Sequence, residues 1–488
     1  MPFISVLNDV LGPVMRGPSS SHTAGAYRIA LLCSRILGDR PVSVRCAFDP
    51  QGSYAPTFAV MGVDLAFAAA LLGWDMTDAR YPRALEELTA TGTELSFRVE
   101  SLELADHPNA ARVDLEGPDG RAIRVWARSI GGGCVEIYRV DDTDLLLTGK
   151  TRDLLVFLSS GEIRHSVLPP GSTDRPPAVS DLPGAEKVCL VEPVFYEQRA
   201  APLFASAREG LELARAKGWS LGELTRQYET CLLGVGTGWL DAEMLRRFHI
   251  MAESVAAGLD DGRVRMPLLA PSASAIMNAE REQRLPSGGP LTRAAARAMA
   301  ALHTCNSRGV VCAAPTGGSS GVIPGVLLTL QEERRMSDGQ VIDALLAASA
   351  IGLVVAARAT FAAEVAGCQV EIGAAGAMAA AAVVEAAGGS AEAAMGAASI
   401  ALQNTMGSVC DPVQGGCEIP CHTRNAVAAA NAFICADLVI GGYRNPIPLD
   451  ETVDASLAVG RSLPRELRCT ALGGIAATPS ARSLRPAS

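Results

Sequence analysis

Four cysteines in the second half of the chain could bind a metal together. Cys368 lies in one segment, and Cys410, Cys417 and Cys421 lie in another. Prolines and paired glycines in the second segment predict an irregular loop, in which several thiolates can turn toward one point. The spacing matches neither the CxxC pairs of zinc ribbons nor the closely spaced cysteines of ferredoxins. The pattern alone therefore leaves a metal site and scattered thiols both open.

A run of small polar residues, GPSSSHT, precedes an amphipathic helical pattern near the N-terminus. Hydroxyls and free backbone amides at a helix start can hold a carboxylate or a phosphate, because the helix dipole is positive there. The candidate residues are Ser19, Ser20, Ser21, His22 and Thr23. An ordinary helix cap beside a surface histidine explains the same run, so both interpretations stay open.

A glycine-rich loop, APTGGSSG at 314–321, could form a second binding site. Backbone amides in such a loop can approach a ligand closely, because no side chain intervenes. The candidate residues are Thr316, Gly317 and Ser319. The loop lacks the GK[ST] ending of a P-loop and the GxGxxG of a dinucleotide site. A purely structural turn remains an alternative.

The segments that must position these residues fall into two predicted domains. Residues 1–158 predict a small α/β domain, and residues 186–488 predict a large, Ala-rich, all-α domain without strand patterns. Residues 159–185 are rich in Pro, Gly and Ser and predict a linker. A length of 488 residues also favours two domains.

Within the first domain, helices are expected over 22–37 and 60–72. Strands are expected where the pattern alternates or β-branched residues are enriched. These segments are VSVRCAF, LSFRVES, ARVDLEG, AIRVWAR and VEIYRV. Such a mixture is typical of a sheet covered by helices.

Charge and composition exclude several classes of protein. A net charge of −10 argues against binding to nucleic acid or to anionic membranes. The apolar stretches 345–357 and 372–384 are shorter than the roughly 20 residues of a bilayer span, so they predict buried helices. The N-terminus has no signal-peptide pattern, and 13 cysteines without one favour a reducing compartment. We therefore expect a cytoplasmic protein that binds neither nucleic acid nor membrane.

Five segments, in this order, resemble the bacterial iron–sulfur L-serine dehydratases, also called L-serine ammonia-lyases. They are GPSSSHT, APTGGSSG, AGCQVEIG, CDPVQGGCEIPC and HTRNA. The similarity extends from about Val14 to Gly474 and fits the single-chain form, in which the small domain precedes the cluster domain. Each motif is weak by itself, whereas five in this order are specific.

The resemblance implies a [4Fe–4S] cluster held by three cysteines, which match Cys368, Cys410 and Cys421. One iron would stay open for substrate, and Cys417 lies outside the matching pattern. The implied catalytic residues are Ser19, Ser20, Ser21 and His22. The implied substrate-binding residues are Thr23, Asn306, Thr316, Gly317, Ser319, Arg424 and Asn425.

The implied reaction converts L-serine to pyruvate and ammonia by β-elimination of water. Hydroxide is a poor leaving group, so a Lewis-acidic iron and a base for the α-proton suit this reaction. Elimination from threonine, cysteine or another 3-hydroxy amino acid is one alternative. A non-catalytic iron–sulfur or zinc sensor is another.

Pyridoxal phosphate, the usual cofactor for such eliminations, is not expected. It requires a Schiff-base lysine. The chain has only Lys150, Lys187 and Lys217, and none lies in or beside the glycine-rich segments.

His22 is the leading candidate for the base, and a neighbouring serine alkoxide or His303 are alternatives. Many family members carry a histidine where this chain has Met61, after Gly52-Ser53-Tyr54-Ala55. That departure keeps amino acids other than serine open as substrates. Cys469 is expected to lie within the packed domain. The single-chain organisation leads us to expect a homodimer that acts on a small amino acid.

Overall fold

A computed structural model describes residues 3–172 and 175–485. The chain divides into two compact units, with boundaries between Ser20 and Ser21 and between Arg199 and Ala200. The α/β unit comprises residues 21–199. In the described part of the chain, the helical unit comprises residues 3–20 together with residues 200–485.

The strands form three sheets in the described residues. In chain order they are β1 (Val14–Arg16), β2 (Ser43–Phe48), β3 (Glu94–Val99), β4 (Ala110–Glu116), β5 (Ala122–Gly131), β6 (Cys134–Val140), β7 (Thr143–Leu147), β8 (Asp153–Leu158), β9 (Ile163–Val167), β10 (Ala185–Val191) and β11 (Val310–Cys312). One sheet has the order β3-β2-β4-β5-β6-β7, the second β10-β8-β9, and the third pairs β1 with β11. Only β2 and β3 run parallel, and the other pairs are antiparallel.

Helices dominate the rest of the described chain. In the α/β unit they are α1 (Gly25–Leu37), α2 (Tyr54–Thr57), α3 (Val63–Leu71) and α4 (Ala84–Ala90). In the helical unit they are α5 (Ala207–Lys217), α6 (Leu221–Leu233), α7 (Thr237–Gly258), α8 (Ala273–Arg281), α9 (Gly289–Asn306), α10 (Val322–Arg334), α11 (Asp338–Arg358), α12 (Ala363–Ala366), α13 (Ile372–Ala386), α14 (Ala391–Gln403), α15 (Cys421–Ile440), α16 (Leu449–Ser462) and α17 (Pro479–Ser483).

The α/β unit has its core between the six-stranded sheet and helices α1 and α3. Alternate residues of β4 and β5, among them Val113 and Val125, are fully buried and face this core. Ile29, Leu32 and Ile36 form the apolar face of α1 and pack into the same cluster. The period of two along the strands and of three to four along the helix explains this packing.

The helical unit has an Ala-rich centre around α13. Of its 15 residues, those from Ile372 to Val384 are buried, and the helix packs against α11, α14, α15 and α10. Alanine and glycine side chains add little width, so helix axes can approach closely. The Ala-rich stretch thus forms a tight core from several small side chains.

The N-terminal segment belongs to the helical unit through hydrogen bonds to α6 and α7. The carboxylate of Glu229 accepts bonds from Ser5 Oγ at 2.5 Å, Val6 N at 2.8 Å and Leu7 N at 3.0 Å. Arg247 donates to Leu7 O at 2.9 Å. Strand β1 then pairs with β11, and the next residue, Gly17, begins the serine-rich motif.

The predicted fold class, a small N-terminal α/β region before a large helical domain, is confirmed. The five strands expected from alternation correspond to β2–β6, and the two expected helices correspond to α1 and α3. The short strand β11 is an addition to the expected all-α domain.

The structure divides the chain differently from the predicted boundaries. Residues 3–20 lie in the helical unit, because β1 pairs with a strand that is remote in sequence. Within the predicted linker, Ile163–Val167 forms β9, and Gly161 (φ 85°) lies in the turn that joins β8 to β9. The Ser- and Gly-rich composition there reflects a hairpin turn. Residues 173–174 of this linker lie outside the described part.

Three described helices are long and apolar enough to cross a membrane by length and composition, namely Asp338–Arg358, Cys368–Ala386 and Cys421–Ile440. The first two contain the apolar stretches expected to be buried, and most of each is buried inside the unit. The helices are longer than those stretches because their polar ends are helical too.

Candidate metal centre and active site

Cys368 lies in a single turn, Cys368–Val370, immediately before α13. The next residue, Gln369, is fully buried and links this turn to the segment that leads into Cys410, because Gly407 N donates to Gln369 Oε1 at 2.9 Å. Gln369 Nε2 donates to Ala366 O at 2.9 Å. Two parts of the chain that each carry a predicted ligand are therefore held together by one amide side chain.

The thiol of Cys410 has two other thiols within hydrogen-bond reach, those of Cys368 and Cys469. These neighbours and burial raise the pKa of Cys410 well above its usual range. Cys469 N also donates to Cys410 O at 2.8 Å. The expectation that Cys469 lies within the packed domain is confirmed, since it is 6% exposed, but its place against Cys410 was not predicted. No local spacing in the sequence signals it.

Cys421 is the first residue of α15, and its thiol lies against that of Cys417. The hydrogen bond to Cys421 and burial raise the pKa of Cys417 well above its usual range. Cys417, which falls outside the family pattern, is thus a direct neighbour of a predicted ligand. Both cysteines are buried.

The donor set at this point fits a soft metal centre. Ligand atoms of Cys368, Glu371 and Cys410 lie within 4.8 Å of one another. The raised pKa values of Cys410 and Cys417 disfavour their thiolates, and a bound cation would offset that penalty by stabilising the thiolate form. The N-termini of α13 and α15 adjoin the cysteines, and their dipoles favour negative charge.

Glu371 is a further member of this cluster that the sequence analysis did not single out. Burial raises its pKa to about 7, the hydrogen bond from Thr316 lowers it, and Glu364 raises it. The side chain remains partly exposed. Its position three residues after Cys368, at the start of a helix, is the signal that could have identified it.

The glycine-rich loop contacts this carboxylate directly. Thr316 Oγ1 donates to Glu371 Oε1 at 2.5 Å and shares a hydrogen bond of 2.9 Å with Ser319 Oγ. Both hydroxyl residues are buried. The glycine-rich loop is followed by α10, so this predicted binding loop lies at the start of a third helix.

The serine-rich segment meets the same loop through Gly317. The thiol of Cys305 is within 3.4 Å of both Pro18 O and Gly317 O. A Cβ added at Gly317 would lie 3.0 Å from Ser20 N and 3.3 Å from Ser19 C, so only glycine fits without displacement. The structure therefore brings Ser19 and Ser20 to the loop that holds Glu371.

The two residues predicted after the last cysteine also lie at the cluster. Arg424 Nη1 is 3.7 Å from Cys368 Sγ, and Arg424 Nη2 is 2.9 Å from Asp411 Oδ1. Asn425 Nδ2 donates to Gly318 O at 2.8 Å and to Cys421 O at 2.9 Å. A cavity of about 320 Å³ adjoins Cys368 and Arg424.

Asn306 lies beside the cluster and forms hydrogen bonds with protein groups. Its amide donates to Cys417 O at 2.9 Å and approaches His422 Nε2 at 3.0 Å. Burial and His303 lower the pKa of His422 to about 3, so its ring is neutral and can accept this bond. His303 is fully buried, and burial lowers its pKa. Both His303 and His422 are therefore buried among protein groups.

The remaining predicted residues gather in the α/β unit. His22 Nδ1 is 3.0 Å from Ser21 Oγ, and His22 Nε2 is 3.4 Å from Ser53 Oγ. Tyr54 packs its ring edge against the imidazole and donates to Ser21 O at 3.0 Å. His22 is thus fully buried between two serine hydroxyls, which rules out the alternative of a surface histidine.

Thr23 has a structural partner in the same unit. Its hydroxyl donates to Met61 O at 2.9 Å. Met61 is 1% exposed and occupies the position where the resembled family often has histidine. This chain therefore fills that position with an apolar side chain.

The chain is a two-unit protein with a candidate metal centre. That centre is a buried group of thiols at helix starts, beside a hydroxyl-rich loop. A family model described as "Serine dehydratase alpha chain" matches residues 206–476, which include every cysteine of this group. The chain belongs to the serine dehydratase alpha chain family, and it is an enzyme of the lyase class.

Several relatives extend this similarity. A probable L-serine dehydratase alpha chain of Bacillus subtilis (strain 168) is 36% identical over 282 residues, which cover 58% of this chain and 94% of the relative. An L-serine dehydratase of Mycobacterium bovis is 28% identical over 490 residues, covering 94% of this chain and 95% of the relative. A probable beta chain from the same Bacillus strain is 38% identical over 148 residues, covering 30% of this chain and 66% of the relative.

Proposed function

We propose that this protein converts L-serine to pyruvate and ammonia with a [4Fe–4S] cluster held by Cys368, Cys410 and Cys421. The observation that carries the proposal is the convergence of these thiols with the Thr316 loop, inside the region that the family model covers. The relatives' names support serine as the substrate.

The reaction takes the α-proton and the β-hydroxyl from serine, which leave together as water. The aminoacrylate that remains tautomerises to an imine, and water hydrolyses the imine to pyruvate and ammonia. When bound, the cluster supplies a Lewis-acidic iron for the β-hydroxyl. No pyridoxal phosphate is part of this proposal.

Hydroxyls and backbone amides of the helical unit would bind the substrate carboxylate. Ser19 and Ser20 adjoin Gly317, and Thr316 and Ser319 are hydrogen-bonded to each other in the same loop. Anions bind well to such groups at helix starts. Arg424 Nη1 places a positive charge 3.7 Å from Cys368 Sγ.

His22 remains the candidate for the base that accepts the α-proton. Its two ring nitrogens face Ser21 and Ser53, so one hydroxyl can donate to the imidazole while the other accepts from it. This arrangement fixes the ring plane, which general-base catalysis requires. An alkoxide of Ser21 remains the alternative.

The cytoplasmic location and the homodimer expected from the sequence belong to the same proposal. Light scattering on the purified protein measures the mass directly, and a mass of twice 50.6 kDa is the expected result. A monomer would contradict the dimer without affecting the proposed reaction.

The substrate is tested with an amino-acid panel on anaerobically purified, iron-reconstituted protein. We expect a broad brown absorbance and pyruvate formation with L-serine, measured by a coupled lactate dehydrogenase assay. L-threonine and L-cysteine, each assayed separately in the same panel, report the rival eliminations through 2-oxobutanoate and pyruvate, respectively. A protein that holds the chromophore but forms no 2-oxo acid from any of them is the result expected of a sensor.

A further inference from the structure

Two acidic side chains near the thiols differ from Glu371 in their surroundings. Asp411 is paired with Arg424 at 2.9 Å and accepts a hydrogen bond from Ile475 N at 2.8 Å. Glu364 is 4% exposed and therefore closed off from ligands. Glu371, in contrast, is partly exposed. Among residues 3–172 and 175–485, no arginine, lysine or histidine forms an ion pair with it.

The carboxylate of Glu371 is held in place by the glycine-rich loop. Thr316 Oγ1 donates to Oε1 at 2.5 Å, and Ser319 in turn contacts Thr316. A Cβ added at Gly318 would lie 2.8 Å from the same Oε1, so the loop backbone packs closely against this carboxyl group. The loop thus fixes the carboxyl group of Glu371, one oxygen of which lies within 4.8 Å of the thiols of Cys368 and Cys410.

An amino acid that binds at this point brings a positive ammonium group out of water. Leaving such a charge unpaired in a buried site is costly, so the site must provide an acceptor of opposite charge. The nearby hydroxyls and amides suit the substrate carboxylate. Because they carry no negative charge, they do not compensate the positive charge of the ammonium group.

We propose that Glu371 binds the amino group of the substrate and that Thr316 positions its carboxylate for this contact. The inference rests on the proposed function, because it assigns a residue to the amino group of the same substrate. It also predicts selectivity: a ligand without an amino group should gain nothing from Glu371.

The test compares two ligands that differ only in the amino group, L-serine and 3-hydroxypropanoate. Wild-type protein, Glu371→Gln and the exposed control Glu392→Gln are reconstituted anaerobically, and iron per chain is measured first. Then kcat and KM for serine, and the inhibition constant of 3-hydroxypropanoate, are determined for each. Calorimetric titration with 3-hydroxypropanoate gives a binding readout that does not depend on turnover.

We expect Glu371→Gln to keep its iron and to lose about ten- to a hundredfold in kcat/KM for serine, as for one lost charged hydrogen bond. The affinity for 3-hydroxypropanoate should stay within about twofold of wild type. Glu392→Gln should match wild type in every measurement. If 3-hydroxypropanoate does not bind even to wild type, the kcat/KM for serine in Glu371→Gln decides, and an unchanged value overturns the proposal.

Three further results would overturn the proposal. Loss of iron in Glu371→Gln would make Glu371 a cluster ligand, and an equal loss for both ligands would place it away from the amino group. Unchanged kinetics would remove it from the site. Should the variant fold poorly, Glu371→Asp replaces it, and a smaller loss confined to serine is expected because the shorter side chain keeps the charge but not the reach. A wild-type protein with full iron and no pyruvate would refute the proposed function instead.

Discussion

The group of cysteine thiols in the helical unit, with the carboxyl group of Glu371 beside it, is the part of the molecule suited to binding a metal. Cys410 lies within hydrogen-bond reach of two other thiols, and Cys417 lies against Cys421. The neighbouring thiols and burial raise the pKa of Cys410 and of Cys417, so the protonated forms of these two residues are favoured until a cation binds. Metal binding and thiol ionisation are therefore a single coupled event at this site.

The residues predicted from the sequence could be identified because they lie in short polar motifs that a core does not need. Cys469 and Glu371 were missed for different reasons. Cys469 N donates a hydrogen bond to Cys410 O, and no motif in the sequence around Cys469 predicts this contact. Glu371 has one local signal in the sequence, its position three residues after Cys368 at a helix start, whereas its hydrogen bond with Thr316 is visible only in the structure.

Replacement of His22 tests the base at the scale of one residue. If His22 accepts the α-proton, His22→Ala should lower kcat by about 10²- to 10⁴-fold, because general-base catalysis contributes that much. Iron content should not change. Anaerobic steady-state kinetics with parallel iron analysis measure both quantities, and Thr23→Ser is the matched control because it keeps the hydroxyl that contacts Met61 O.

Full activity of His22→Ala would assign the proton transfer to another group. The serine hydroxyls beside His22, Ser21 and Ser53, are then the next to be replaced. Loss of iron together with activity would instead show that the variant perturbs the fold.

At the scale of elements, the sequence predicts what is local. The strands β2–β6 follow from alternation, and α1 and α3 follow from their apolar faces. The composition predicts a linker where β9 and the turn before it lie, because that turn is rich in Ser and Gly. The pairing of β1 with β11 joins segments from opposite parts of the chain, and no local pattern encodes it.

The anchoring of the N-terminal segment on α6 gives a prediction about stability. Glu229→Ala removes the carboxylate that accepts three bonds and leaves Ser5 Oγ, Val6 N and Leu7 N without it. Buried donors left unpaired are costly, so the free energy of unfolding should fall by about 3 kcal/mol or more. Urea denaturation followed by circular dichroism measures the change.

The exposed carboxyl of Glu212 on α5 provides the control for this experiment. Glu212→Ala should shift the stability by less than about 0.5 kcal/mol, as surface substitutions usually do. Equal effects of the two substitutions would mean that the Glu229 hydrogen bonds contribute little to holding the segment.

At the scale of the whole molecule, the chain contributes to the helical unit twice. Residues 3–20 pack with the helices from residue 200 onward, and the described part of 21–199, which lies between these two segments in the sequence, forms the other unit. The serine-rich motif spans one of these boundaries, so Ser19 and Ser20 belong to the helical unit and Ser21 and His22 to the α/β unit. Residues that form one continuous motif in the sequence are thus divided between the two units.

The match between iron binding and pyruvate formation in cysteine variants tests the central claim most directly. Iron per chain and serine-dependent pyruvate are measured anaerobically in Cys368→Ser, Cys410→Ser and Cys421→Ser. The controls are Cys417→Ser, beside the predicted ligands, and Cys435→Ser, 14 residues further along α15 and so about 21 Å from Cys421. The account predicts that the three ligand variants lose iron and activity together, whereas both controls keep them. An iron-free Cys410→Ser protein that still forms pyruvate at the wild-type rate would contradict it.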